Sequence, residues 1–356
     1  MKPVTSVLLE ICRETTVPER PQSLWGCNLS LKMATSGRCG ETVLCSVTDA
    51  IVCERGFIFD EKSGNPIFHI DEYPVFPKYV IDYYNSGMVY PSYGVQTVYD
   101  LRIPEMKKIH IEHGLAFTHF NVVYGHWLIE MLPKLLAFRD VALKTGIRAP
   151  IIIPRMPGCF IETFVREVCP GFEFVIYNPN IEYVAVEKLF LISNTENFWL
   201  NPYFCSEYEF YGTKPLNDDS GDDQRIFIVR PDDHVKRNSI KNFADIESFL
   251  LEKGFKNLDP SRLGSLREQA RIFNKAKVIV GEFSSSLHNA IFSRKGSQII
   301  ALNFVNDVQN QIAVMRGHKI GYIVPTRGPV HWADKEPYQL EMSDVRNAVE
   351  IATSHR

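Results

Sequence analysis

The sequence lacks any run of about 18 apolar residues, the length a helix needs to cross a bilayer, so it predicts no transmembrane segment. It carries no lipidation motif. Its first residues, MKPVTSVLLEICRETTVPERP, hold one short apolar stretch (7–12) broken by Glu10, whereas a secretory leader needs a longer uncharged core and a small-residue cleavage site. No CxxC pair occurs among the 8 cysteines, so reduced and mostly buried thiols are expected rather than disulfides or zinc. The sequon Asn28-Leu29-Ser30 is then a chance match. No block of Lys and Arg forms the basic stripe of a nucleic-acid binder, and 39 basic against 42 acidic residues leave a net charge of -3. HExxH is absent, so no zincin is expected; GxSxG is absent, which weighs against a serine hydrolase; and residues 42–99 hold no phosphate loop. The expected compartment is the cytoplasm, with peripheral attachment to the inner membrane face left open.

What is present suits two domains of ordinary size. The chain has 356 residues, 45% of them hydrophobic and 23% charged, near the averages for a globular protein. Three regions differ in pattern. Residues 42–99 hold short β-like runs (TVLCSV, AIVCE, GFIFDE) broken by Gly, Asp and Asn, which predict strands and hairpins. In the second region 114–121 is strand-like, and HWLIEMLPKLLAF sets Trp127, Leu128, Met131, Leu132 and Leu135 at helical spacing. Pro133 inside that run predicts a kink or a restart. IIIP (151–154) is the uninterrupted apolar run of a strand buried on both faces, and a helix at 161–168 and strands in FEFVIY and KLFLI follow. LNDDSGDDQ (216–224) is polar and acidic and predicts a linker; its paired aspartates are more simply a solvated segment than a metal site.

The third region alternates most clearly. RIFIVR (225–230) is a strand, and 242–251 a helix with Asn242 as its expected N-cap and Gly254 beyond its end. Ser265-Leu266-Arg267-Glu268 forms a capping box that opens a helix through Ala276. A buried strand (277–281), a helix (285–292), the strand SQIIAL, a helix (308–317) and the strand YIVP complete a doubly wound βα pattern. Residues 338–353 predict a long terminal helix. The expected domains are thus 1–215 with a β-rich N-terminal part, a linker 216–224, a Rossmann-like lobe 225–335, and a helix 336–356 packing back on the first lobe.

Residues with chemical potential cluster in three places. After Gly281 come Glu282, Phe283, Ser284, Ser285, Ser286, Leu287, His288 and Asn289, a strand end running into a helix start. In open α/β sheets ligands bind beyond the carboxyl ends of strands, and the amides and dipole of a helix start suit a diphosphate. Equally, the stretch reads as a polar loop with a serine N-cap. Arg230 ends a strand, and Arg237 follows with Asn238 beside it; two guanidinium groups neutralise a departing diphosphate where no Mg²⁺ does so. The bland alternative is a surface cluster paired with Asp232 and Asp233. His126 and Glu130, at i and i+4, share a helix face and can act as a general base and its partner, although such pairs also serve merely to stabilise helices.

These segments together resemble one family. Asn121-Val122-Val123-Tyr124-Gly125-His126-Trp127-Leu128-Ile129-Glu130-Met131-Leu132-Pro133-Lys134 is similar to the Asn…His-Trp/Phe-Leu…acidic…Leu-Pro-Arg signature of glycosyltransferase family 61, which includes bacterial capsule and exopolysaccharide enzymes. Ile228-Val229-Arg230…Arg237-Asn238, Leu266…Gln269…Ile272-Phe273…Ala276 and Gly281…Ser285…Leu287-His288-Asn289-Ala290-Ile291-Phe292 continue the likeness in order and spacing. The chain departs from the pattern at Phe283-Ser284-Ser285, where many members have His-Gly-Ala. It departs again at Lys134, where Arg is usual, and at Asn242, where an acidic residue is frequent.

The resemblance implies an α/β chain of GT-B type, two facing Rossmann-like lobes with a β-rich N-terminal extension, and an inverting transfer with neither cofactor nor metal. The implied partners are a nucleotide-sugar donor and a glycan or lipid-linked glycan acceptor. Arg230, Arg237, Asn238, Glu282, Ser284, Ser285, Ser286, Leu287, His288 and Asn289 would hold the donor. His126 and Glu130 would be catalytic, with Asn121, Tyr124 and Lys134 on the acceptor side. Two other expectations compete: a non-catalytic nucleotide- or glycan-binding protein on this scaffold, and, less favoured, a hydrolase using Ser285 or Ser286 with His288.

Overall fold

The structure, a computed structural model, describes residues 6–13, 15–16, 22–24, 38–39, 42–53, 56–62, 89–92, 98–101, 106–116, 123–156, 158–192, 201–213, 224–229, 240–303, 305–325 and 337–354. It is an α/β chain of two compact units. One contains Met1–Thr15, Arg38–Val122 and Ile129–Trp199; the other contains Thr16–Gly37, Val123–Leu128 and Leu200–Arg356. The chain therefore passes between units more often than a single division at 216–224 predicts, and the linker expected there lies largely outside the described residues.

The first unit is built on a seven-stranded mixed sheet. Lys107–Leu115, Ile151–Pro154, Phe174–Tyr177 and Glu182–Ile192 form its parallel part. The β-rich N-terminal region joins the same sheet: Thr42–Cys53 pairs antiparallel with Glu182–Ile192, and Ser6–Cys12 and Phe57–Asp60 pair with Thr42–Cys53. The short runs expected at 42–53 are one 12-residue strand, with Asp49 at φ 52 inside it. Cys45, Val47, Ala50 and Val52 meet Val184, Val186, Leu189 and Leu191 in the core. Strand propensity and burial override the local turn signal of Asp49.

The helix after the Lys107–Leu115 strand starts in unusual fashion. Tyr124–His126 is α-helical, Trp127–Met131 is a π turn, and Leu132–Thr145 resumes the α-helix with Pro133 in its first turn. Proline has no N–H for an i→i−4 bond, so a wider turn before it absorbs the missing donor. Where a kink or a restart is expected at Pro133, the structure shows an unbroken helical run that changes from π to α winding at Leu132.

The second unit is doubly wound. Its six-stranded sheet runs Lys256–Leu258, Gln224–Ile228, Ala276–Glu282, Gln298–Leu302, Lys319–Ile323, Gln22–Ser23, and every pairing is parallel. Val278 and Val280, on one face of the sheet, pack with Ile246, Phe249 and Leu250 of the Phe243–Glu252 helix and with Val345, Ala348, Val349 and Ala352 of the Met342–Ser354 helix. The terminal helix thus enters the core of the second unit; its apolar stripe is used up there, which corrects the expectation that it packs on the first lobe. Pro202–Thr213 packs with Leu266–Lys275 and with Asp307–Arg316, and all three pack with a short helix at Leu287–Phe292. Ser265 caps the Leu266–Lys275 helix as the sequence predicts: its Oγ accepts from Glu268 N at 3.0 Å, and Glu268 Oε2 accepts from Gly264 N at 3.2 Å.

Asn242 does not cap its helix. Its Nδ2 donates to Leu340 O at 2.8 Å and its Oδ1 accepts from Leu340 N at 3.2 Å, continuing the bridge between Ile240 and Tyr338. An amide supplies both a donor and an acceptor; a carboxylate supplies acceptors alone. Asn242→Asp keeps the bond to the amide but sets a charge against the buried Leu340 carbonyl. The expected loss is about 1–3 kcal/mol, seen as a lower thermal midpoint; a variant that melts with wild type rules out this role.

Candidate functional site

In chain order the strands of the second unit, leaving aside the added Gln22–Ser23, run 2-1-3-4-5, and the order reverses between Gln224–Ile228 and Ala276–Glu282. Such a switch point opens a crevice beyond the carboxyl ends of the two strands. Gly281 allows the strands to close up there: a Cβ on it would sit 3.0 Å from Ile228 Cβ. At the mouth Glu282 Oε1 accepts from Tyr338 Oη at 2.9 Å. Phe283 N–H is shared between Leu302 O and Asn303 Oδ1, both at 3.3 Å, and Ser284 Oγ donates to Glu282 O at 3.2 Å. Asn303 holds this turn from a left-handed backbone, φ 98, that few residues other than Gly adopt.

The helix expected at 285–292 is a 3-10 helix over Leu287–Phe292. Leu287 N–H donates to Ser284 O at 3.0 Å and Asn289 N–H to Ser286 O at 3.3 Å, so these amides are already used. Six residues of 3-10 helix do not offer the open donors or the macrodipole of a long α-helix. Glu282, Ser284, Ser285 and Ser286 remain partly exposed and can meet a ligand, whereas Leu287, His288 and Asn289, expected to touch the donor, are buried. Their part is to support the turn.

Residues 123–128 are seated on this turn. Tyr124 Oη lies 2.6 Å from Asn289 Oδ1 and 2.7 Å from Gln269 Oε1. Asn289 Nδ2 donates to Ser286 O at 3.1 Å, which fixes its orientation with Oδ1 toward the phenol. The phenol donates to Asn289, and the Gln269 amide, turned about its last bond, donates to the phenol. Gly125 lies against His288: a Cβ here would fall on His288 Nδ1 and come within 3.0 Å of Ser285 Oγ. Any side chain at 125 would separate the two segments.

His288 is only 6% exposed, its ring is 5.7 Å from that of Phe283, and neither ring nitrogen has a hydrogen-bond partner among the described residues. Burial, aided by the nearby His126, pushes its pKa down to about 3. A neutral, enclosed imidazole brings no charge to a diphosphate. Nor does it take a hydrogen bond from Ser285 or Ser286, which removes the hydrolase reading.

The C-terminal end of the 3-10 helix is anchored in turn. Asn274 Nδ2 donates to Phe292 O at 3.1 Å. The buried Arg316 donates to Ser293 O through Nε (3.2 Å) and Nη2 (2.9 Å) and to Cys205 O through Nη1 (2.8 Å). His318 Nε2 approaches the same Ser293 O at 3.4 Å, and its pKa is pushed down to about 3, chiefly by burial and then by Arg316. Burying a guanidinium is costly unless carbonyls satisfy it, and here they do.

The other expected site residues divide. His126 is partly exposed and belongs with the second unit, while Glu130, also partly exposed, belongs with the first. Lys134 is 1% exposed, which takes it out of reach of an acceptor in this structure; a lysine so enclosed has to be satisfied internally. Tyr124 spends its hydroxyl on Asn289 and Gln269, away from the acceptor role expected of it. Asn121, Arg230, Arg237 and Asn238 lie outside the described residues. Sequence reasoning did not single out Asn303, Arg316 or Tyr338, whose roles rest on contacts distant in sequence. Gln269 appeared only as one letter of the family pattern.

The two buried histidines set an acid limit on stability. Unfolded they titrate near 6.5, and folded they stay neutral to about 3. Below 6.5 the unfolded chain binds more protons, so their contribution is complete above that value and is lost as pH falls toward 3, at about 1.4 kcal/mol per pH unit per histidine. The thermal midpoint is expected to fall between about pH 7 and pH 5, and His318→Gln to show a smaller fall. Equal falls in both proteins refute the assignment to His318.

No curated protein matches the chain. Residues 124–300, from the tyrosine seated on the 3-10 turn through the fourth parallel strand, match the family Glycosyltransferase 61. The match supports glycosyltransferase family 61 as the family of this chain, and with it a transferase that takes a sugar donor and an acceptor.

Proposed function

We propose that the protein is an inverting, metal-independent glycosyltransferase that moves a sugar from a nucleotide-sugar donor to a glycan acceptor, free or lipid-linked, in the assembly of a capsular or extracellular polysaccharide. In this reading its two units are the lobes of a GT-B fold. The observation that carries the proposal is the switch point of the 2-1-3-4-5 sheet, where Glu282 ends the third strand and the partly exposed Ser284, Ser285 and Ser286 follow it. It lies inside the span that matches the family.

The chemistry follows from inversion. A base, Glu130 or His126, removes the proton of an acceptor hydroxyl as that oxygen attacks the anomeric carbon. The bond from that carbon to the diphosphate oxygen breaks, and the electron pair leaves with the nucleoside diphosphate. Arg230 and Arg237 neutralise the leaving group, and the serine hydroxyls of 284–286 donate to it. Glu282, held by Tyr338, is an acceptor suited to hydroxyl groups of the donor.

Thermal melting against UDP, GDP, CMP and their sugars, with and without EDTA, tests this proposal. One nucleotide is expected to raise the midpoint, since ligand at a hundred times its Kd adds about 2.7 kcal/mol, and EDTA is expected to leave the rise unchanged. Arg230→Ala should lose donor turnover by more than about tenfold, the worth of one charge-assisted contact. Stabilisation without sugar transfer or donor hydrolysis would leave a non-catalytic nucleotide-binding protein. No stabilisation by any of them defeats the proposal.

A further inference from the structure

Three residues outside the crevice bear on how it is equipped. Gln269, on the Leu266–Lys275 helix, and Asn289, on the 3-10 turn, are both buried, and both bond the one hydroxyl of Tyr124. Asn289 also holds the backbone of Ser286. One network therefore joins residue 124 to the last serine of the turn that ends the third strand. Next along the chain Gly125, through its missing side chain, is pressed on Ser285 Oγ and His288. Residue 126 follows directly, so the freedom of His126 relative to the 284–286 turn is set by a hydrogen bond two residues before it and a steric contact one residue before it.

We propose that Gln269 and Tyr124 are positioning residues that hold His126 at the 284–286 turn, so that His126 donates to the phosphate-bearing half of the donor rather than serving the acceptor. The inference rests on the glycosyltransferase reading given above. A partly exposed imidazole donates through a ring N–H in either protonation state, as an oxyanion requires. The buried His288 cannot take that role, because its nitrogens are enclosed between Gly125 and Phe283 and burial keeps it neutral. The arrangement leaves proton removal from the acceptor to Glu130, which is grouped with the first unit.

Calorimetry on the full chain with UDP, GDP and CDP, each beside its free nucleoside, tests the assignment. For the diphosphate that wild type binds, His126→Gln is expected to weaken affinity by about tenfold or more and to leave the nucleoside unaffected, because the nucleoside lacks the phosphates. Tyr124→Phe and Gln269→Leu should weaken the diphosphate alone by about three- to tenfold, and Tyr124→Phe with His126→Gln should bind no worse than His126→Gln by itself. A general structural effect would weaken nucleoside and diphosphate together. If Gln269→Leu does not fold, Tyr124→Phe, which removes one oxygen, still decides. Undiminished diphosphate binding by His126→Gln, or parallel loss of both ligands, overturns the inference alone. A wild-type chain that binds none of the diphosphates overturns this inference; if it also fails to bind CMP, the function proposed above falls with it.

Discussion

At residue 125 the chain has no side chain, and the packing around the crevice depends on that. The imidazole of His288 and the hydroxyl of Ser285 lie where a Cβ would otherwise be, so the backbone of 123–128 rests directly on the turn that ends the third strand. Contact this close brings the Tyr124 hydroxyl to two buried amides at 2.6 and 2.7 Å. Each of these polar groups would cost about 1–3 kcal/mol if buried alone. Together they satisfy one another, so the same atoms become a specific lock. A larger residue at 125 would both push the segments apart and leave these groups unsatisfied, which makes the steric and polar requirements one requirement.

Beneath the lock, irregular backbone is held in shape by groups from distant parts of the chain. A 3-10 helix has poorer internal bonding than an α-helix, and its last carbonyls need outside donors. Asn274 supplies one for Phe292, and Arg316 supplies two for Ser293. At the other end Asn303, in a left-handed conformation, takes the Phe283 N–H. Strained backbone persists only where surrounding structure fixes it, and it gathers at ligand sites. The turn at 283–286 is therefore a shaped surface at the switch point rather than a loose connection.

Sequence and structure agree where periodicity and local chemistry act alone. IIIP at 151–154, the helix at 161–168 and the Ser265 cap are as predicted, because apolar runs and capping boxes work over a few residues. The βα alternation of 225–323 was legible for the same reason, although its strand order was not. The crevice itself was legible only as a strand end followed by serines. That His288 is enclosed involves Gly125, and a contact over more than 160 residues leaves no local signal. Asn242 shows the same limit, since a residue at a helix start reads as a cap until Leu340 is seen to claim both its amide groups. Lys134, expected on the acceptor side from the family pattern, lies instead in an interior that composition cannot show.

The π turn at Trp127–Met131 explains how one helix meets two sets of demands. An extra residue in a turn shifts the phase of everything after it by about 100°, one residue of an α-helix. Before the shift, Tyr124 and Gly125 satisfy the polar and steric needs of the second unit, and Tyr208 Oη closes the segment by donating to Leu128 O at 2.5 Å. After it, Leu132, Leu135, Leu136 and Phe138 are buried within a helix that belongs to the first unit. A regular α-helix would carry a single apolar stripe through both parts. Pro133, which cannot donate a helical hydrogen bond, favours the irregular turn just before it. His126 and Glu130 thus come from one continuous helical run yet are grouped with different units.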